Sequence, residues 1–259
     1  MSAPTPRRPS RTQLLLPIAV ATLGGLLAAQ AVGRDPRYVG SLLAFALLLF
    51  APALVGRWRM RRLLMSGDVE RVIGSWEDSI GRVPHRDTMA PLLQATAYAA
   101  YGWIEAARRA LERALRGPAW EAALEQRLFV ETLLDAFEGD REEAVRKAST
   151  LEGLPIPHAG PLARRRIALL RRGLAALARA FAHSSRKDDT RLLAKAASAS
   201  PLVHWAMRYA AAIVAVDWGR AGEAASLLSN APAWPAQSAF REYHDELLRR
   251  VGHDLQTAH

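Results

Sequence analysis

No cysteine occurs among the 259 residues, which removes disulfides, thiolate metal sites and thiol catalysis from consideration. Lysine is nearly missing too, with three residues against 32 arginines. Together with abundant alanine, that is the pattern of GC-rich bacterial coding. Strand-like alternation is hard to find. Motifs that carry chemistry are missing as well: there is no HExxH, no phosphate loop ending in GK[ST], no GxGxxG after a strand and no GxSxG elbow. The seven histidines are scattered. The run His183 to Asp189 holds the ingredients of a nucleophilic triad, but neighbours in a polar loop lack the geometry that catalysis needs. No catalytic residue, metal or cofactor is expected, and the chain does not read as an enzyme.

Charge is absent from two stretches, Leu14 to Val32 and Val39 to Val55. As helices they would extend about 28 and about 25 Å, against a hydrocarbon core of roughly 30 Å. They are expected to form a transmembrane hairpin within an anchor domain, residues 1–62, with membrane lipid as its partner. Arg7, Arg8 and Arg11 precede the first run, and Arg57, Arg59, Arg61 and Arg62 follow the second. By the positive-inside rule both termini and the large domain, residues 63–259, would then be cytoplasmic, on a bacterial inner membrane. A cleavable signal peptide ending near Ala29, Gln30 and Ala31 is the rival account of the first run. Residues 1–62 carry nine Arg and one Asp, so most of the formal charge of +10 belongs to this end. The body is close to neutral, which argues against nucleic acid as a partner.

Beyond Arg62, apolar residues recur at three and four, the helical period. Pro84, Pro118, Pro155, Pro201 and Pro232 punctuate the body at intervals of tens of residues, the size of stacked helix pairs. The unit from Met89 to Pro118 is the most regular. Ala95, Tyr98, Gly102, Ala107, Leu111, Ala114 and Leu115 resemble the tetratricopeptide repeat, with Pro118 closing the unit. Gly67, Trp76, Ile80 and Pro84 match partially, as do Gly139, Ala144, Ala148 and Pro155, and Gly219, Ala224, Leu228 and Pro232. Residues 161–200 form a longer, irregular pair. The resemblance implies an all-α chain, with a solenoid of about five helix pairs after the hairpin. Ser238 to Val251 would be a terminal capping helix with polar residues outward.

In such a solenoid the first helices of successive pairs line a concave face. Phe129, Leu133 and Phe137, then Tyr209 and Ile213, are the expected lining of a groove for an unidentified protein partner, a role as interaction scaffold. Residues 153–200 hold ten basic and two acidic side chains. A helical wheel gathers Arg164, Arg165, Arg171, Arg172 and Arg179 on one side of one helix, which suggests the alternative role of a lipid-surface sensor.

Overall fold

The computed structural model describes residue 51 and residues 54–257, with side chains at all of these except 77, 78 and 254–257. The chain divides into two compact units, Met1–Arg59 and Met60–His259. The first unit is described only at residues 51 and 54–59, all helical. The second is all-helical among the described residues and contains no strand.

The expected transmembrane hairpin is corrected here. Among the described residues no helix is long and apolar enough to cross a membrane. The run 14–32 and nearly all of 39–55 lie outside the described residues. The helical residues 54–65 that are described hold Arg57, Arg59, Arg61 and Arg62, so they add no long apolar segment to the second run. Among the described residues the fold class is therefore all-α and repeat-like, and a transmembrane hairpin is not supported. The multi-pass inner-membrane location with cytoplasmic termini, which rested on those spans, goes with it.

After helical residues 60–65, the second unit runs through α1 (Val69–Ile80), α2 (Arg86–Ala100), α3 (Ile104–Leu115), α4 (Leu124–Glu138), α5 (Arg141–Gly153), α6 (Pro161–Phe181), α7 (Asp189–Ala199), α8 (His204–Asp217), α9 (Ala221–Leu228) and α10 (Ala239–Thr257). The helices α4, α6 and α8 are buried on nearly all sides over much of their length, whereas α3 buries one stripe. In α3 the stripe is Ala107, Ala110, Leu111 and Ala114, while Glu105 in the first turn and Arg113 in the last complement the dipole. Helices α2 to α9 pack as consecutive antiparallel pairs, and the first helices α2, α4, α6 and α8 touch in succession. Alanine dominates the contacts, with Ala95, Ala107, Ala144, Ala176 and Ala196 all buried, so the backbones approach closely.

The repeat is visible in a hydrogen bond. The turn inside each pair is closed by an amide bonding back five residues: Trp103 to Tyr98, Asp140 to Asp135, Ser184 to Arg179 and Arg220 to Ala215. This is the longer bond of the Schellman motif, which needs a left-handed residue just before the donor. Gly102, Gly139 and Gly219 supply it in three pairs, but His183, at φ 50°, supplies it in the α6–α7 pair. The irregular pair is thus a full member of the series with a histidine in place of glycine.

The polar interior ties pairs together. The buried Asp135 of α4 meets Arg108 of α3 at 3.3 Å and Lys147 of α5 at 2.8 Å, and Arg108 also grips Glu138. The hydrogen bond to Glu138 is the largest influence raising the Arg108 pKa. Burial works against the Lys147 ammonium, yet Asp135 and Glu131 raise its pKa overall. Tyr98 holds the matching position in the α2–α3 pair; at Asp135 the structure shows an ionic clasp across three helices.

The superhelix closes on itself. Helix α10 packs on α8 and α9 as the first helix of a further pair would, and its entry reaches back to the first pair. The Ala239 amide donates to the Gly102 carbonyl at 2.9 Å, and Ser238 Oγ donates to the Tyr101 carbonyl at 2.7 Å. Trp205 Nε1 donates to the Met65 carbonyl at 2.9 Å. A Cβ on Gly67 would lie 2.7 Å from Pro232 Cγ, and Gly67 sits at φ 83°, so only glycine fits this seam. Phe240 fills the centre, with ring centroids 4.9 Å from Tyr209, 5.0 Å from Trp234 and 5.3 Å from Phe137. The capping helix is present, then, but it spends an apolar face of Phe240, Tyr243, Leu247 and Val251 on the interior rather than ending an open stack.

Candidate functional site

The closed core leaves a cleft of about 340 Å³ where the C-terminal ends of α4, α6 and α8 meet α10. Its floor is apolar: Phe137, Phe181, Ile213, Val216, Tyr243 and Leu247. Its rim is charged: Glu138, Arg141, His183, Asp217, Glu246 and Arg250. Two shallower depressions adjoin it. One continues past Arg141 toward Val145, Ala182 and Ser184, and the other continues past Val216, Glu246 and Arg250 toward Arg249 and His253. Together they form an elongated groove with an apolar centre.

Aromatic packing fixes the floor. Phe137 meets Phe181 edge-on at 5.2 Å, and Phe181 meets Tyr243 at 5.4 Å, the favoured T-shaped geometry. Burial is the main influence pushing the Tyr243 hydroxyl up to about 12, so it stays protonated and donates to the Phe137 carbonyl. The Tyr209 hydroxyl accepts from Trp234 Nε1 at 2.7 Å and lies 3.1 Å from His244 Nδ1. Burial raises its pKa as well.

The rim is held by polar side-chain pairs. His183 Nδ1 lies 3.0 Å from Asp217 Oδ1, which joins the α6–α7 turn to the end of α8. Glu246 pairs with Arg249 and Arg250 of its own helix, each at 2.7 Å. The hydrogen bond from Arg250, followed by the Arg249 charge, lowers the Glu246 pKa. Trp218, half-exposed, stands next to Asp217.

Phe137 and Ile213 of the expected groove both line this cleft. Phe129 is half-buried against the core. Leu133 and Tyr209 are fully buried, and here the expectation is corrected: closure of the superhelix covers that stripe, so neither reaches a partner. The arginine face is corrected too. Arg164, Arg165 and Arg172 are exposed, but Arg171 is buried, pairing with Glu125 at 2.9 Å and donating to the carbonyls of Leu154 and Pro155. Arg179 pairs with the buried Asp189 at 2.6 Å. A wheel treats a helix as uniformly exposed, whereas the following and preceding segments cover one end of α6. Asp189 also accepts the Arg186 amide, so the loop His183 to Asp189 is anchored at both ends. His183, Asp217 and Tyr243 escaped the sequence reading because they meet only through tertiary closure. The one local signal was a histidine at the position where sister turns carry glycine.

No protein-family model, curated protein or solved structure matches this chain.

Proposed function

We propose that this protein is an interaction scaffold of the tetratricopeptide-like class, which takes an amphipathic segment of a partner protein in the groove between α4, α6, α8 and α10. The observation that carries the reading is an apolar floor open to solvent between oppositely charged rim pairs. Ile213 and Val216 are only partly buried at its centre, where they line the cleft. A cleft of this size suits one or two apolar anchors, with helical spacing continuing into the adjoining depressions. Glu138 pairs with Arg108, Asp217 lies against His183 and Glu246 pairs with Arg250, so a rim carrying groups of both signs selects register more than affinity.

The test is a selection of random displayed peptides on the full chain. Enriched peptides are expected to carry aromatic or aliphatic anchors three or four apart and to lose at least tenfold in affinity on Ile213→Asp. Peptides that bind Ile213→Asp as tightly as wild type, with the helical circular dichroism unchanged, would place recognition elsewhere.

A further inference from the structure

Helices α2, α4 and α8 have 15, 15 and 14 residues, whereas α6 has 21. The extra length lies at its N-terminal end. Residues 161–166 are exposed on every side, 167–170 are half-buried, and full burial begins at Arg171. At ~1.5 Å per residue, the six exposed residues carry the tip about 9 Å beyond the packed body. Loop residues 157–160 leading to it are exposed as well.

The projection has a distinct chemistry. Leu162 at its tip is 81% exposed, the most of any large apolar side chain among the described residues. Arg164, Arg165 and Arg166 follow within one turn, and no acidic residue occurs from 155 to 170. The ion pairs of α6 are made by Arg171, Arg172 and Arg179; Arg164, Arg165 and Arg166 make none among the described residues. On the flank toward α7, Leu169 shares a shallow depression with Arg191 and Lys195. An unpacked helical end is marginal by itself, so a leucine presented there among three cations is disposed toward an external surface.

We propose that this tip docks the protein on an anionic lipid surface, with Leu162 entering the interface and Arg164, Arg165 and Arg166 lying among the headgroups. A single apolar side chain on a convex tip needs a partner that yields around it, and a lipid interface does so without a matching socket. An acidic protein would have to supply that socket. A nucleic acid would pair with the arginines through its phosphates but leave Leu162 in water. No described helix is long and apolar enough to cross a membrane, and the docking is independent of the groove on α10.

Each basic side chain near an anionic bilayer raises partitioning about fivefold, so three together account for on the order of 100-fold. The experiment is sedimentation of the full chain with vesicles of phosphatidylglycerol and phosphatidylcholine, against phosphatidylcholine alone. The anionic lipid is expected to increase partitioning at low salt, and the increase should vanish at high salt. Replacing Arg164, Arg165 and Arg166 together with Gln should cut the anionic-specific part on the order of 100-fold, and Leu162→Asp should cut it as well. Arg71→Gln, an exposed cation elsewhere, should leave it intact. The proposal is overturned if wild type partitions equally onto both vesicles. It is also overturned if the triple variant and Arg71→Gln behave alike, or if a short nucleic acid duplex binds with the same triple-variant sensitivity while anionic vesicles do not.

Discussion

Replacing Phe240 with Ala removes a ring that is fully buried and touches three others, those of Tyr209, Trp234 and Phe137. The side chain stands at the seam where α10 returns to the first pair, beneath the Ala239 to Gly102 hydrogen bond. Truncating a core phenylalanine costs about 3–5 kcal/mol, transfer and cavity together. Because the surrounding rings belong to three different elements and cannot collapse as one, the upper half of that range is expected. A domain of this size loses about 2–4 °C per kcal/mol, giving a fall in Tm of roughly 8–20 °C. Such a loss is a large part of a total of about 5–15 kcal/mol. Urea denaturation followed by circular dichroism measures it, with Leu248→Ala on the same helix as control. Leu248 is 44% exposed, so its truncation should stay within about 0.5 kcal/mol. If Phe240→Ala costs less than about 1 kcal/mol, α10 does not close the superhelix and the reasoning fails.

His183 occupies a left-handed turn position, so His183→Gly should be more stable than His183→Ala by about 1 kcal/mol, since both lose the Asp217 pair but only glycine relieves the backbone. Equal denaturation midpoints would contradict the turn geometry. Asp135→Ala strands Arg108 and Lys147 and should cost about 2–3 kcal/mol; the value lies below that for a fully dry pair because Arg108 stays 37% exposed. Adding Lys147→Met should recover part of the loss in a double-mutant cycle, and strict additivity would deny the coupling. His204 is held below its ordinary 6.5, first by burial and then by the charges of Arg208 and Arg61, against a bond to the Ala197 carbonyl. The unfolded chain therefore binds the extra proton first on acidification. The stability contributed by this group is complete above about pH 6.5 and is lost as pH falls toward the folded value. His204→Phe should flatten the midpoint's decline between pH 7 and 5; an unchanged slope would acquit this residue.

The helix pairs were legible because their determinants are local. Ala95, Ala107 and Gly102 lie within one unit, and the spacing that sets them on facing stripes is written in neighbouring residues. Even the irregular 161–200 pair was recognisable as a pair. What escaped were relations across long separations. Nothing near Phe240 signals that its ring will lie between Tyr209 and Phe137, and so the stripe containing Leu133 looked open when it is covered. Arg171 and Arg179 looked like surface because a wheel cannot show that Glu125 and Asp189 wait on other elements. The two uncharged runs near the start were read by hydropathy alone, and no described helix carries that reading. His183 is the instructive case: its meaning came from comparing four turns in three dimensions, where one histidine does what three glycines do.

Closure can be measured directly, and the absence of native cysteine makes it clean. Spin labels on cysteines introduced at Glu105 and Gln237 flank the hydrogen bond from Ala239 to Gly102. The closed superhelix predicts a narrow distance distribution below about 25 Å, given that both labels sit within three residues of a direct backbone contact. In an open stack, four steps of about 10 Å between successive first helices would put them near 40 Å apart. A dominant population at that longer distance would contradict the closed core on which the groove, its covered stripe and its exposed floor depend.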